Sequence, residues 1–270
     1  MKTGMRGVVD LPVRENLEAV RAAGLDGIEF SIVKGGLIEP TATTAELESI
    51  RRMAEDLGVE IPSVSSTIPL FHLSMLDNDP KIVAEGKAVM RRLMEMGRTL
   101  GAELLLVIPG VVTPDVDYET AYARCHDVLL ELSDYAQEMG IKLGVENVWN
   151  RFLLSPLEFR NLIDQVGRPN VGVYFDVANC VQWGYPEHWL RILNRRIFQI
   201  HVKDYKRAVG TLEGFCTLLQ GDVDWPGVVR SLRAIGYNGY LVAEIPAYKS
   251  FPTQIFHDVK RWLDVILTAA

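Results

Sequence analysis

Cysteine is scarce in this sequence, and its pattern excludes two kinds of structural support. The 270 residues include only three cysteines, Cys125, Cys180 and Cys216, and no CxxC pair. An odd number without paired spacing argues against a disulfide scaffold and against a zinc site built from cysteines. A reducing compartment is therefore expected.

Long apolar runs are also missing. The longest extends from Leu104 to Val112 and is interrupted by Pro109 and Gly110, whereas a membrane-spanning helix needs about 20 apolar residues. The first residues, MKTGMRGVVDLPVREN, lack the apolar core of a signal peptide. We therefore expect a soluble, cytoplasmic protein that does not bind membranes.

The chain has no excess of positive charge. It carries 28 basic and 35 acidic side chains, which gives a formal charge of −7. Proteins that bind the phosphate backbone usually present a basic surface, so we expect no nucleic-acid partner. The charged fraction of 23% and the apolar fraction of 48% are those of an ordinary globular protein and exclude disorder as the main state.

Short β-branched runs alternate with longer amphipathic stretches along the chain. Runs such as LLLVIP and IFQIHV are almost entirely apolar, as expected of parallel strands covered by helices on both faces. The predicted strands are Thr3–Val8, Gly27–Ile32, Glu60–Ser66, Leu104–Pro109, Lys142–Val148, Val171–Val177, Ile197–Asp204 and Tyr240–Ile245. The predicted helices are Arg14–Ala23, Thr44–Leu57, Pro80–Leu100, Tyr118–Met139, Pro156–Val166, Pro186–Leu193, Trp225–Ile235 and Thr253–Leu267.

The helix ends carry recognisable signals. The phrases AAGLDGIEF, DLGVEIPS, TLGAELLLV, EMGIKLGVE and AIGYNGYLVAE each place a glycine between a helix and the next strand. Glycine accepts the left-handed conformation that ends a helix. Ser155-Pro156 followed by Glu158 predicts a capping-box start, and Asp79-Pro80 predicts a similar one.

Eight strands and eight helices predict a (β/α)8 TIM barrel that forms a single domain over residues 1–270. The repeat of roughly 34 residues is close to that of a typical barrel of ~250 residues. A doubly wound open sheet is the alternative. Its dinucleotide-binding form is disfavoured, because the first turn, VVDLPVREN, has no GxGxxG motif.

Four predicted strands end in side chains that can bind a metal: Glu146 in GVENV, Asp176 in YFDVAN, His201 in QIHVKD and Glu244 in VAEIP. Barrels carry their functional groups at this end of the strands. Each residue alone could be a structural hydrogen-bonding group, but three buried carboxylates would be costly without a cation or hydrogen bonds. Together they favour one shared site of oxygen and nitrogen ligands, which suits Mn²⁺, Mg²⁺, Co²⁺ or Zn²⁺.

Longer segments carry a family resemblance. They are SMLDNDPKIVAEGKAVMRRLMEMGRTLGAELLLVIPG, VENVWNRFLLSP, YFDVAN, HVKD, GDVDW and YNGYLVAEI. With these segments the chain resembles the xylose isomerase-like barrel superfamily, in particular its sugar phosphate isomerase/epimerase branch. That branch includes ketose 3-epimerases, phosphopentose 3-epimerases, hydroxypyruvate isomerase and inosose dehydratase. The resemblance runs nearly end to end and implies a TIM barrel enzyme that acts on carbohydrates.

By position, Glu146, Asp176, His201 and Glu244 match the four ligands of the family's divalent ion, which we expect to be Mn²⁺. The resemblance also implies that Glu146 and Glu244 are the acid/base pair. A bound cation would polarise a ketose carbonyl, one glutamate would remove the neighbouring proton, and the other would return a proton to the opposite face. We therefore expect ketose 3-epimerisation; return of the proton to the adjacent carbon would give aldose–ketose isomerisation. A homodimer or homotetramer is expected on the same basis.

The resemblance extends to two further positions. Arg207, six residues after His201, matches a substrate-binding arginine. Asn179, three residues after Asp176, stands where sugar epimerases often have a histidine that contacts the substrate. Phosphopentose epimerases have a similar asparagine, so this departure leaves both a sugar and a sugar phosphate open as the substrate.

Four other residues have two open interpretations each. Lys203 either binds substrate or phosphate or pairs with a nearby carboxylate. Glu29 either supports the site or caps a loop. His72, in the loop IPLFHLSML, either meets the substrate or is an exposed loop residue, and Trp149 either walls a sugar pocket or packs beneath a loop.

Three other functions compete with the epimerase or isomerase. The first is a lyase on the same scaffold that dehydrates an inosose or a similar cyclic ketone. The second is an apurinic-site endonuclease, which has a similar barrel with a histidine-rich site for three metals; five histidines in total and a charge of −7 argue against it. The third is a non-catalytic barrel that binds a sugar, and the presence of all four candidate ligands disfavours it.

Overall fold

The structure, a computed structural model, describes residues 1–68 and 72–269. Eight parallel strands form a closed barrel in the order β1-β10-β7-β6-β5-β4-β3-β2. The strands are β1 (Lys2–Arg6), β2 (Gly27–Ser31), β3 (Ser63–Ser65), β4 (Leu104–Val107), β5 (Lys142–Glu146), β6 (Val171–Asp176), β7 (Ile197–Val202), β8 (Asp204–Tyr205), β9 (Phe215–Cys216) and β10 (Tyr240–Ala243). The helices are α1 (Val13–Ala23), α2 (Thr44–Leu57), α3 (Pro80–Leu100), α4 (Tyr118–Met139), α5 (Pro156–Val166), α6 (Pro186–Leu193), α7 (Trp225–Ala234) and α8 (Gln254–Thr268). The closed barrel confirms the predicted (β/α)8 fold and excludes the open sheet.

The helix ends follow the predicted signals. The Ser155 hydroxyl accepts a hydrogen bond from the Glu158 main-chain N–H at 3.2 Å, and Asp79 accepts from the Lys81 N–H at 2.8 Å. The predicted capping box is only half formed, because the Glu158 carboxylate accepts from the Leu154 N–H and not from that of Ser155. The five glycines of the repeated phrases all have φ between 65° and 84°, a region that other residues enter only with strain. They are Gly24, Gly58, Gly101, Gly140 and Gly236.

The interior of the barrel is divided into an apolar part and a polar part. Leu104, Leu106, Ile108 and the ring of Tyr174 form an apolar cluster inside it. Buried polar side chains at the carboxyl ends of the other strands fill the rest. Outside the barrel, a continuous apolar core joins the strands to the helices. Across the described ranges, none of the helices has the length and apolar character required to traverse a bilayer.

The predicted strand Ile197–Asp204 is interrupted. Strand β7 ends at Val202, and the chain then forms β8, which pairs antiparallel with β9 in a separate two-stranded ribbon. Sequence periodicity did not predict this ribbon. Its position depends on contacts made by one buried carboxylate, that of Asp204.

Asp204 accepts four hydrogen bonds, two at each oxygen. Its Oδ1 accepts from the main-chain N–H groups of Tyr205 (2.9 Å) and Val223 (3.2 Å). Its Oδ2 accepts from the Leu219 N–H (3.1 Å) and the Trp225 indole N–H (2.9 Å). The carboxylate thereby fixes both ends of the segment that carries the ribbon over the mouth of the barrel.

Replacement of Asp204 by Asn is expected to destabilise the protein by about 3 kcal/mol, because it places an amide donor against two buried donors. Urea unfolding followed by circular dichroism measures the change. Asp222→Asn is the matched control, since exposed Asp222 accepts one hydrogen bond, from the Arg207 N–H. Equal stability of the two variants would show that Asp204 does not anchor the segment.

Candidate active site

Four polar side chains converge at the mouth of the barrel. Glu146 ends β5, Asp176 ends β6, His201 lies in β7 and Glu244 directly follows β10. One candidate ligand atom from each lies within 4.8 Å of the other three. Glu146, Asp176 and His201 are buried, and the side chain of Glu244 is 22% exposed. The four residues that the sequence singled out therefore come together as a group that could hold a metal ion.

Asp176 is oriented by its neighbours along the barrel edge. Its main-chain N–H donates to Asn147 Oδ1 at 2.8 Å, and the Asn147 amide donates back to the Asp176 carbonyl at 2.9 Å. The main-chain N–H of Asn179 donates to Asp176 Oδ1 at 2.8 Å. The Asn179 bond occupies Oδ1, and the two bonds with Asn147 fix the main chain that carries the carboxylate. Sequence reasoning did not identify Asn147, which follows Glu146 in the VENV segment.

Two cations lie beside the carboxylates. The Lys203 ammonium is 2.5 Å from Asp176 Oδ2 and 2.5 Å from Glu244 Oε2. The Arg6 guanidinium donates to Glu244 Oε1. Of the two interpretations of Lys203, this geometry supports pairing with carboxylates. Arg6 was not predicted. It is the last residue of β1, so an inspection of all strand ends for charged side chains would have found it.

Glu146 and Glu244 lie in different electrostatic environments. Burial raises the pKa of Glu146, and the contact of its Oε1 with His201 Nδ1 at 3.3 Å offsets this only in part. Burial also acts to raise the pKa of Glu244, but Lys203 and Arg6 outweigh it and lower that pKa well below its usual value. Without a bound ion, the surroundings therefore favour the ionised carboxylate more strongly at Glu244 than at Glu146.

His201 lies between two glutamates. Its Nε2 is 3.2 Å from Glu29 Oε1, while its Nδ1 faces Glu146 and lies 4.0 Å from Glu244 Oε2. Burial acts to lower the pKa of His201, but the charge of Glu29 and the hydrogen bonds to Glu146 and Glu29 raise it to about 10. Burial conversely opposes ionisation of Glu29, and the nearby His201 lowers the pKa of Glu29 to about 2. The structure therefore favours the interpretation in which Glu29 supports the site over the one in which it caps a loop.

Trp149 and Asn179 line a cavity of about 850 Å³ next to this group. The Trp149 indole N–H donates to the Asn179 carbonyl at 2.8 Å. The Trp149 ring packs against the rings of Trp183 and Phe215, whose centroids lie 4.8 and 5.2 Å from its own. The half-buried Trp149 thus both walls the cavity and packs beneath the ribbon, so the structure combines its two interpretations.

Arg207 and His72 are the two remaining predicted substrate contacts. The Arg207 guanidinium donates to the carbonyls of Val181 (2.7 Å) and Gly184 (3.1 Å) and lies 5.0 Å from the Tyr185 ring centroid, at the rim of the cavity. His72 is exposed. Its loop includes residues 69–71, which lie outside the described residues. Substrate binding by Arg207 and His72 stays a prediction.

A larger cavity of about 1040 Å³ lies at the opposite end of the barrel, where it is lined by Lys2, Glu60, Lys142 and Tyr240. Lys2, Lys142 and Tyr240 are the first residues of β1, β5 and β10, and Glu60 precedes β3. Barrel enzymes place their chemistry at the carboxyl ends, and the candidate ligand group lies there. We therefore assign the candidate active site to the group of four side chains, which the smaller cavity borders through Asn147 and Asn179 although none of the four lines that cavity.

Comparison with known proteins gives concordant matches. A family model described as xylose isomerase-like TIM barrel matches residues 17–266. The chain is 27% identical over 249 residues to the 3-dehydroshikimate dehydratase of Pseudomonas putida. This alignment covers 89% of this chain but only 37% of the dehydratase. The chain is also 28% identical over 232 residues to the D-psicose 3-epimerase of Agrobacterium fabrum. This alignment covers 82% of this chain and 75% of the epimerase.

A solved structure shares the fold. It is a xylose isomerase-like TIM barrel/4-hydroxyphenylpyruvate dioxygenase fusion protein, which matches with a TM-score of 0.83 and 24% identity over 98% of this chain and 42% of the fusion protein. This chain therefore spans less than half of the dehydratase and of the fusion protein.

Proposed function

The chain belongs to the xylose isomerase-like TIM barrel family, and from this premise we propose that it is a divalent-metal-dependent enzyme that transfers protons next to the ketone carbonyl of a sugar or sugar phosphate, with ketose 3-epimerisation as its reaction. The pair Glu146 and Glu244 carries this proposal. These glutamates belong to strands separated by β6 and β7 around the barrel, so they approach the shared group from different sides. Epimerisation by two bases needs one acid/base group on each face of the substrate, and two carboxyl groups can serve.

The donor set fits a divalent ion. Three carboxylates and one imidazole provide only oxygen and nitrogen, which suits Mn²⁺ first and Mg²⁺, Co²⁺ or Zn²⁺ as alternatives. Before substrate binds, Lys203, Arg6 and one divalent ion would together balance four ionised carboxylates if His201 is neutral. These carboxylates are Glu29, Glu146, Asp176 and Glu244.

A bound divalent ion would polarise the ketone carbonyl and stabilise the charge that develops there. Glu244, which Lys203 and Arg6 hold ionised, takes the proton from the neighbouring carbon. Glu146, whose pKa burial raises, returns a proton to the other face, and the roles exchange in the reverse direction. Positioned acid/base groups of this kind typically contribute ~10²–10⁴-fold to the rate.

Dehydration of a cyclic ketone is the second candidate function, and two observations favour it. The P. putida relative is a dehydratase, and the Lys203 ammonium lies 2.5 Å from Glu244. After the same proton abstraction, Lys203 would protonate a departing hydroxyl group. Mass spectrometry separates the candidates, since a lyase product is lighter by one water, whereas a product of epimerisation or of hydroxypyruvate-type isomerisation keeps the substrate mass.

Removal of the metal is expected to abolish turnover. The purified protein would be assayed on a panel of ketoses, ketose phosphates and cyclic ketones before EDTA treatment, after it, and after Mn²⁺ is returned. We expect C3 epimerisation that EDTA stops and Mn²⁺ restores. Turnover that survives complete removal of the metal would contradict the proposal.

A further inference from the structure

We propose that Glu29 is a positioning residue that fixes the orientation and tautomer of His201, so that Nδ1 presents its lone pair to the metal-binding group. The inference rests on the metal site proposed above. Glu29 lies in β2, on the far side of the barrel from the ligand-bearing strands β5 to β7. It is fully buried, and its carboxylate contacts the ring nitrogen of His201 that faces away from Glu146 and Glu244.

A buried network binds the other oxygen of Glu29. The Tyr174 hydroxyl lies 2.5 Å and the Ser63 hydroxyl 2.7 Å from Glu29 Oε2. The amide nitrogen of Gln199 lies 2.6 Å from the Ser63 hydroxyl and 2.7 Å from the Tyr174 hydroxyl. All of these side chains are at most 3% exposed.

The directions of these hydrogen bonds follow from the donors. The amide nitrogen of Gln199 can only donate, so both hydroxyls accept from it and give their own hydrogens to Glu29 Oε2. Two hydrogens then satisfy Oε2, and Oε1 is left to accept from His201. A neutral ring would therefore carry its hydrogen on Nε2, which would leave the Nδ1 lone pair, on the side of Glu146 and Glu244, free for a bound ion.

Packing fixes the plane of the same ring. The centroids of Tyr174 and His201 are 4.4 Å apart, with an angle of 53° between the ring planes. Tyr174 thus both donates to Glu29 and restricts rotation of the imidazole. A carboxylate that receives the second N–H of a metal-binding histidine typically raises metal affinity by 10–100-fold.

Glu29→Gln tests the proposal. It keeps the size of the side chain but either places an amide donor against two hydroxyl donors or turns that donor toward His201. Titration of the EDTA-stripped protein with Mn²⁺ by isothermal calorimetry should show the dissociation constant weakened about 10–100-fold. Glu60→Gln is the matched control, since Glu60 contacts Lys2 and Tyr240 at the other end of the barrel and is half exposed.

A second variant and a spectroscopic readout separate positioning from a purely structural role. Tyr174→Phe keeps Glu29 and removes one of its donors, and it should weaken Mn²⁺ binding in the same direction by a smaller factor. Nitrogen NMR of the diamagnetic Mg²⁺-loaded protein should show His201 protonated at Nε2, with a downfield N–H signal that Glu29→Gln removes. A residue that only stabilises the fold would lower the melting temperature without changing either readout.

Folded Glu29→Gln and Tyr174→Phe proteins that bind Mn²⁺ like the wild type would overturn the positioning role and leave the metal site intact. If Glu29→Gln does not fold, Tyr174→Phe alone decides by the same criterion. If the wild type itself binds no divalent ion, the proposed metal site is wrong and the role of Glu29 is wrong with it.

Discussion

Replacement of Glu244 by Gln is expected to lower kcat by about 10²–10⁴-fold, the usual contribution of a positioned acid or base. The amide cannot take a proton, and it also removes the charge that Lys203 and Arg6 contact. Glu146→Gln should have an effect of similar size. Because both groups are needed to complete one epimerisation, the double variant should be little worse than either single variant.

The measurement is single-substrate kinetics on whichever ketone the wild type converts, with saturating Mn²⁺ present. Glu138→Gln is the control, because Glu138 is an exposed residue of α4. Mn²⁺ titration of each variant separates loss of the metal from loss of the proton transfer. Turnover by Glu244→Gln at the wild-type rate would exclude Glu244 as an acid/base group.

Replacement of Lys203 by Met is expected to destabilise the metal-free protein by about 3–5 kcal/mol. Its ammonium contacts the carboxylates of Asp176 and Glu244, and removal of one partner from a buried ion pair leaves uncompensated charge. A divalent ion supplies the missing positive charge. Mn²⁺ should therefore raise the melting temperature of Lys203→Met by more than it raises that of the wild type.

Thermal unfolding with EDTA and with Mn²⁺ provides this comparison. Lys206→Met is the matched control, since Lys206 is exposed and lies three residues further along the chain. If the Lys203→Met variant is as stable as the Lys206→Met variant in EDTA, the Lys203 ammonium does not balance the two carboxylates. An equal gain from Mn²⁺ in both variants would show that metal and ammonium do not share these partners.

The barrel could be predicted because its signals are local. Each of the repeated glycines ends its own helix, and each apolar run forms its own strand. The four candidate ligands could be identified for the same reason, since each interrupts an apolar strand near its end. A parallel barrel then brings the carboxyl ends of all its strands together at one mouth.

The supporting residues depend on contacts across the barrel that no local pattern encodes. Glu29 reads as one polar residue in the strand GIEFS, and its contact with His201 spans 172 residues. Arg6 and Glu244 are 238 residues apart and meet only because β1 closes on β10. The ribbon of β8 and β9 likewise depends on the distant hydrogen bonds of Asp204.

Titration of the EDTA-stripped wild-type protein with Mn²⁺, beside Asp176→Asn, tests the proposed metal site. We expect one tightly bound ion per chain in the wild type and a much weaker site in the variant, because the buried Asp176 carboxylate is one of the four candidate ligands and the amide removes its charge. Wild-type protein that binds no divalent ion, or an Asp176→Asn variant that binds it equally well, would show that these four side chains do not form the metal site.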